Sequence, residues 1–512
     1  MFDPWHSALA WMEVVADTHA ESARWQQHQF ERLNALLRAA TQGSPWWRER
    51  LDRIGPARAV PHDAADLLRL LPVSRKRELM DRFPDWVTDP ALDLAALRAF
   101  AADTARQGQS YLGRALVWER SGSSGEPALF VQDAQSLAVS DAIEATLGPA
   151  TLSGRDGMTS FASSGTRTAF VGAIDGPFAT IVSLQRLRAL NPWVAASSRA
   201  FSFLQPVATL VEELERWQPT VLATYPSMAW ILAQEKAAGH LRCAPEAVST
   251  GGETLTPVLQ RAIDKAFGCP VRNSYGASEC MAIANECRSG ALHLNVDWVM
   301  LEPVDAQFRP VPQGEVGSTT MLTNLANHLQ PIIRYDLGDR VRFVPGRCDC
   351  GCTMPRLEVE GRCDEVLTLD DARGQHVHLS PLALATVLED DAGVFDFRLM
   401  QCGPQALRLD LCGRERADPE ARSRAADALQ SFLRQQGLSG VKLTVRAASV
   451  AERGRSGKLR RVWCEPRVAP LKARATPSKR ASAAAQSPRA TARGRAPTTA
   501  KRARAARRVV RR

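Results

Sequence analysis

Five short segments carry residue types suited to holding phosphate, ribose, a hard divalent cation and a developing negative charge. The first is Arg120-Ser121-Gly122-Ser123-Ser124-Gly125-Glu126-Pro127, set between the apolar runs ALVWE and ALFVQ. Glycines permit tight turns that expose backbone N–H groups, and serine hydroxyls add donors, which together suit polyphosphate oxygens. It is not a Walker loop, since no Gly-Lys-Ser/Thr follows, and not a nucleophile elbow, which needs Gly-x-Ser-x-Gly between strand and helix. Taken alone, the same stretch also reads as a plain surface loop. The second and third segments are Ser249-Thr250-Gly251-Gly252-Glu253 and Ser274-Tyr275-Gly276-Ala277-Ser278-Glu279. Both close apolar runs that read as buried strands, so both are expected to emerge at the edge of a sheet, where α/β sites form. Tyr275 offers a flat face, Ser278 a phosphate donor and Glu279 a hard oxygen ligand for Mg²⁺. The fourth, Arg334-Tyr335-Asp336-Leu337-Gly338-Asp339, puts an acid in a glycine turn that can hold vicinal hydroxyls. The fifth, Gly454-Arg455-Ser456-Gly457-Lys458, ends on a lysine point charge.

A second constellation involves soft ligands. All eleven cysteines fall at or after Cys243, and three crowd into Cys348-Asp-Cys350-Gly-Cys352. An odd total without an export signal argues against a disulfide framework. Cys287 and His293, in NECRSGALHL, with Cys348 and Cys350 make three sulfurs and one imidazole, a set suited to tetrahedral structural zinc. Cys352 is a spare thiolate, and packing as small apolar side chains is the alternative for all of them.

These segments need a scaffold, and 512 residues predict two to four domains with ample core. No stretch approaches a membrane span, and the start lacks the basic region of a secretory signal, so a cytoplasmic setting is expected. The formal charge of +10 is unevenly placed. Residues 468–512 hold 14 Lys+Arg and no acid, which leaves the remainder mildly acidic. With few large apolar side chains, that tail is expected to be disordered and to attract nucleic acid or acidic surfaces without sequence preference, or to serve only as a solubilising appendage. From ESARWQQHQFERLNALLRAA to about residue 55 apolar positions recur at helical spacing, and a further helix follows LPVS at 71–74. From about 115, strand-like runs (ALFVQ, TAFVGAI, TVLATY, AVSTGG, PVRNSYG) alternate with helical ones (VATLVEELERW, SMAWILAQEKAAG). That alternation predicts a mixed α/β fold, a largely parallel or mixed sheet covered by helices. Turn-rich strands follow after about 300, then a compact α+β pattern with helices near 381–390 and 417–436.

In order, SGSSGEP, GGE, YGASE, RYDLGD, GRCDE at 361–365 and GRSGK resemble the motif series of adenylate-forming enzymes, and in particular the phenylacetate–CoA ligase group. SPWWRERL, LPVSRKREL, YPS at 225–227 and the Cys/His pair followed by CxCG are similar as well. The resemblance spans roughly residues 25–465. It implies a large N-terminal AMP-binding domain (1–363) of stacked sheets and helices, a small mobile α+β lid (364–467) hinged at Asp364, and the basic tail beyond.

The resemblance also implies roles. Ser121, Gly122, Ser123, Ser124 and Gly125 would cradle ATP phosphates, and Gly252, Glu253, Tyr275, Gly276 and Ser278 would bind the nucleotide. Glu279 would hold Mg²⁺, Asp339 the ribose hydroxyls with Arg362 nearby, and Lys458 would reach the carboxylate and the α-phosphate. ATP, Mg²⁺ and CoA are the cofactors implied, and relatives pairing a Cys…His segment with CxCG strengthen the zinc expectation. A small, aromatic carboxylic acid is the substrate expected, contacted by residues around 161–164, 176–180 and 225–227. Three functions remain open at this point: an acid–CoA ligase, an enzyme loading a carrier-protein thiol or an amine, and a polyanion-binding protein on an old ligase fold. Two departures from the family pattern stand out: Glu126 where a lysine is usual, and Ser278 for the common threonine.

Overall fold

The amphipathic stretch after residue 20 folds as the helix Ser22–Gly43, whose Leu33, Leu36 and Ala40, three and four residues apart, face the core. Ser44 then accepts a hydrogen bond from the Trp47 N–H at 3.2 Å, and Pro45 opens the next helix, Pro45–Asp52. A helix that periodicity did not single out, Pro4–Thr18, packs against the helix Ala134–Leu147. The computed structural model describes residues 4–18, 21–53, 63–120, 128–147, 166–360, 366–394, 397–412, 415–448 and 461–464, all within the compact unit Met1–Ala469.

The N-terminal helices are fastened by a buried charge cluster. Arg32 donates to the Asp297 carbonyl at 2.8 Å and lies 3.6 Å from the ring centre of Trp298. Asp17, with none of its surface exposed, faces His28 at 2.9 Å, Arg32 at 3.5 Å and Arg24 at 3.5 Å, while Glu13 meets Arg32 from outside. Burial pushes the Asp297 carboxyl up from 3.8 to about 7, with Arg32 opposing and Asp17 adding to the rise. A carboxyl that holds its proton more tightly when folded contributes stability at low pH and loses it as pH climbs through the window from about 4 to about 7. The loss is at most ~4 kcal/mol at 1.36 kcal/mol per unit. Urea titrations at pH 5 and pH 8 should therefore show a drop in stability that Asp297→Asn removes; an equal drop in the variant would refute the assignment.

Strands β1 (Leu116–Arg120) and β2 (Ala128–Gln132) form an antiparallel hairpin, wholly buried along β2. Five strands then alternate with helices: β3 (Thr168–Gly172), β4 (Ser198–Ser202), β5 (Val221–Thr224), β6 (Ala247–Gly251) and β7 (Val271–Ala277). They lie parallel in the order β4-β3-β5-β6-β7, the arrangement that crossover helices produce. The chain reverses into β8 (Cys280–Glu286) and β9 (Leu292–Leu294), both antiparallel. Strands β10 (Val299–Val304), β11 (Thr319–Asn324) and β12 (Tyr335–Asp336) form a separate sheet. Strands β13 (Arg340–Val344) and β14 (Arg356–Glu360) complete the nine-stranded sheet, ordered β13-β14-β9-β8-β7-β6-β5-β3-β4. The mixed α/β fold read from the sequence is thus the fold present.

Beyond residue 366 come the hairpin β15 (Leu367–Asp370) and β16 (His376–Leu379), then a four-stranded sheet. In it β17 (Phe397–Gly403) and β18 (Ala406–Leu411) run antiparallel, with β19 (Lys442–Ala447) parallel to β18 and β20 (Val462–Cys464) parallel to β17. Apolar contact does not break at residue 364. One buried cluster runs from Val171, Leu222 and Met228 into Leu384, Leu399 and Val462. Polar contacts cross the same seam: Ser227 Oγ lies 3.0 Å from Ser380 Oγ, and the Gln436 amide donates to the Leu204 carbonyl at 2.6 Å. Among the described residues no helix is long and apolar enough to cross a membrane.

Candidate active site

The parallel strands β3, β5, β6 and β7 end on the same edge of the sheet, where the chain turns outward and backbone groups are left for a ligand. A cleft of about 1680 Å³ opens there. Gly252 and Glu253 after β6, Tyr275, Gly276 and Ser278 at the end of β7, and Asp339 before β13 all line it. Residues scattered over almost ninety positions are therefore brought to one place. The Tyr275 hydroxyl donates to Asp339 Oδ2 at 3.0 Å, which joins the third and fourth motifs directly.

Each turn has a local cause. Gly252 takes φ +77°, and a side-chain carbon there would stand 3.1 Å from the Tyr225 ring. At Gly276, where the β7–β8 register slips, a Cβ would meet the Met281 carbonyl oxygen at 2.1 Å, so only glycine lets the two backbones approach. Glu253 accepts from both the N–H and the hydroxyl of Ser227 at 2.9 Å, at the start of the helix Pro226–Ala237. Its carboxylate therefore braces the YPS turn as well as facing the cleft. Burial, with Glu253 nearby, pushes the Tyr225 hydroxyl up to about 12, so it stays neutral.

Glu279 is placed differently from its neighbour. Ser278 faces the cleft, whereas Glu279 has no exposed surface and is not part of the lining. The turn that carries them is pinned through its backbone, with Trp118 Nε1 donating to the Ser278 carbonyl at 2.8 Å and Asn324 to that of Glu279 at 3.1 Å. Within RYDLGD only Asp339 reaches the cleft. Arg334, at φ +43°, is a buried strut that donates to the Leu71 carbonyl at 2.8 Å and to Glu302 at 3.1 Å. Of the other expected residues, Ser121, Gly122, Ser123, Ser124, Gly125, Arg362, Asp364 and Lys458, with 161–164, lie outside the described residues.

Some cleft residues gave no motif signal. Glu119, held above the usual carboxylate range by burial, and Asp141 line the wall. Arg461, three residues beyond Lys458, is ion-paired with Glu389 and stacks over Phe397 at 4.2 Å from the ring centre. That pair fixes β20 immediately after the GRSGK segment. Only contacts between residues distant in sequence reveal such groups.

A family model described as AMP-binding enzyme matches residues 193–321, which supply β4 to β10 and the second and third motifs. Across 363 residues the chain is 24% identical to the phenylacetate-coenzyme A ligase of Pseudomonas putida, covering 67% of this chain and 72% of that protein. It is 28% identical over 182 residues to the Escherichia coli (strain K12) phenylacetate-coenzyme A ligase, and 29% over 135 residues to protein CapK of Staphylococcus aureus. Those two matches cover 32% and 26% of this chain but span only 39% and 28% of the relatives' own length. Among solved structures, 2-hydroxyisobutyryl-CoA ligase bound to 2-HIB-AMP and CoA superposes with a TM-score of 0.56 at 21% identity, over 88% of this chain and 91% of that one. The chain is similar to adenylate-forming enzymes, and to phenylacetate-coenzyme A ligases in particular.

The chain carries a second cluster at the far edge of its large sheet. Cys287 after β8, His293 in β9, and Cys348 and Cys350 between β13 and β14 have ligand atoms within 4.8 Å of one another. The Cys287 and Cys348 sulfurs are 3.7 Å apart, and Cys350 Sγ is 3.4 Å from His293 Nε2. His293 Nδ1 faces the Met354 carbonyl at 2.8 Å, which holds the proton there and leaves the Nε2 lone pair toward the sulfurs. Gly351, at φ +85°, turns the knuckle so that the Cys352 N–H reaches Cys350 Sγ at 3.3 Å. Cys352 itself packs on the core rather than joining the four. Three sulfurs and one oriented imidazole fit a tetrahedral soft cation.

Proposed function

We propose that this chain joins a carboxylic acid to ATP, forming an acyl-AMP anhydride and pyrophosphate, and then passes the acyl group to the thiol of CoA with release of AMP. The observation that carries this reading is the Tyr275–Asp339 hydrogen bond beside Ser278 at the carboxyl ends of the parallel strands. It gathers an aromatic face, a carboxylate and a serine hydroxyl around one cleft, groups suited to adenine, ribose and phosphate. The first step brings a carboxylate to an anionic phosphorus, so cations and oriented donors must gather where charge builds up. On this reading Ser121–Gly125 supply phosphate donors, Asp339 with Arg362 holds the ribose, and Lys458 brings a movable charge to the reacting oxygen. Residues 364–467 act as a lid turning about Asp364, so one cleft serves both half-reactions. Mg²⁺ bound with ATP would supply positive charge beside the pyrophosphate, and Glu279, buried in this structure, is the residue proposed to hold it. The setting proposed is cytoplasmic, where ATP and CoA are supplied.

An aromatic acid is proposed as substrate from the similarity to phenylacetate-coenzyme A ligases. ATP–pyrophosphate exchange across aliphatic and aryl acids tests the first half-reaction, and AMP release with CoA against a carrier protein tests the second. Exchange with no acid at all would end this reading; exchange without CoA-dependent turnover would redirect the acceptor.

The Cys/His quartet is proposed as a structural zinc site that clips the β8–β9 turn to the β13–β14 loop. Elemental analysis of purified protein is expected to find about one zinc per chain, with Cys348→Ser losing the metal and melting several degrees lower. Metal-free protein as stable as its Cys348→Ser variant would overturn the site.

A further inference from the structure

The wall of the cleft contains a charge pair that adenylation leaves unused. Ser183, on the helix Ala179–Leu190, stands 3.5 Å from Met281 Sδ, three positions beyond Ser278 on the neighbouring strand. One helical turn further along, Arg186 Nη2 lies 2.5 Å from both carboxylate oxygens of Asp141. The Arg186 side chain is 6% exposed and that of Asp141 34%, and it is Asp141 that belongs to the lining. Ala145, Leu184 and Leu187 line the cleft beside it. Ser278, Ser183 and Asp141 line one cleft, so an acid whose carboxylate meets phosphate at the Ser278 turn has this wall within the same space for its other end.

We infer that the acid accepted here carries a neutral hydrogen-bond donor, a hydroxyl or an amine on its ring or chain, which Asp141 reads from the cleft wall. The inference rests on the acid-activating reading above and narrows its substrate class. A buried ion pair is a poor stabiliser, because desolvation offsets the Coulomb gain and apolar replacements of similar volume often stabilise. The pair is not optimised as a strut either: Arg186 Nε is buried with no hydrogen-bond partner among the described residues. It does hold a carboxylate rigidly against open space, with acceptor capacity left over. Arg186 already balances the Asp141 charge, so a neutral O–H or N–H is the complement of that carboxylate, and Glu144, which lines the cleft one helical turn away, is the acid a cation would meet instead. Burial raises the Asp141 carboxyl above its ordinary range, with Arg186 opposing, in keeping with a largely desolvated wall.

The test compares hydroxy- and amino-substituted phenylacetic and benzoic acids with their unsubstituted parents, reading kcat/KM for ATP–pyrophosphate exchange by the full chain. The best donor-bearing acid is expected to exceed its parent by at least about thirtyfold, within the range of a hydrogen bond to a charged group, since Asp141 is partly exposed and already meets Arg186 through both oxygens. In the double variant Asp141→Leu/Arg186→Leu, which removes both charges together, the preference should fall to within about tenfold while the melting temperature is retained. Parents exchanged as well as their substituted partners would overturn the inference and leave the adenylating function standing. So would a double variant that keeps the wild-type preference. Exchange with none of the acids would overturn the function itself, and this inference with it.

Discussion

Arg334→Ala is expected to lower the stability of this chain by about 3–5 kcal/mol, the range for breaking a buried ion pair from one side. Arg334 is buried, and its guanidinium bonds the Leu71 carbonyl and Glu302, while its own carbonyl accepts from the Ser74 N–H at 2.9 Å. Truncation would leave Glu302 as an uncompensated charge in a place where burial already raises its pKa. It would also remove the side-chain tie to Leu71, leaving the backbone bonds at Ser74 to hold the helical entry against β12. Urea denaturation gives the measurement. Arg334→Lys should recover only part of the loss, since one ammonium cannot reproduce the guanidinium's several directed bonds. Midpoints unchanged in the alanine variant would show that the pair contributes nothing.

The second large effect is chemical. Lys458→Ala is expected to slow acid-dependent pyrophosphate exchange by about a thousandfold, the scale of removing one preorganised group that meets charge in a transition state. ATP binding, measured by calorimetry, should change by less than about threefold, because an interaction made mainly in the transition state adds little to the ground state. Unchanged exchange would refute the role given to this lysine. Loss of binding and of exchange in equal measure would make it a ground-state contact instead. Arg461, held by Glu389 and Phe397 three residues downstream, is the fixed point from which that segment extends.

Local pattern was enough for the scaffold. The helix Ser22–Gly43, the strands β2, β3, β5, β6 and β7, and the helices Val207–Trp217 and Pro226–Ala237 follow from apolar spacing and turn residues, because burial on one face imposes its own period on the chain. The three-residue β9 is too short to show a period, β4 (SRAFS) holds only two apolar side chains among polar ones, and the helix Pro4–Thr18 exposes Trp5, Leu9 and Met12, which blurs its apolar face. The ordered motifs also named the cleft residues Gly252, Glu253, Tyr275, Gly276, Ser278 and Asp339, and the four metal-type ligands. Glycine turns and soft ligands declare their chemistry by residue type.

What residue type could not decide was direction and partnership. Tyr275 and Asp339 are 64 residues apart, and their hydrogen bond exists only because β7 and the turn before β13 are carried to the same edge by the sheet. Glu279 reads as a metal ligand by chemistry, yet the turn puts Ser278 in the cleft and Glu279 in the interior. Arg334 reads as part of a binding motif, yet it is spent on holding the scaffold. Asp141 and Arg186 belong to two helices with no motif between them, and their pairing is a product of packing alone. Composition and spacing determine which groups a chain possesses and which elements it forms; long-range packing, which no local window contains, decides which of those groups meet and which face a ligand.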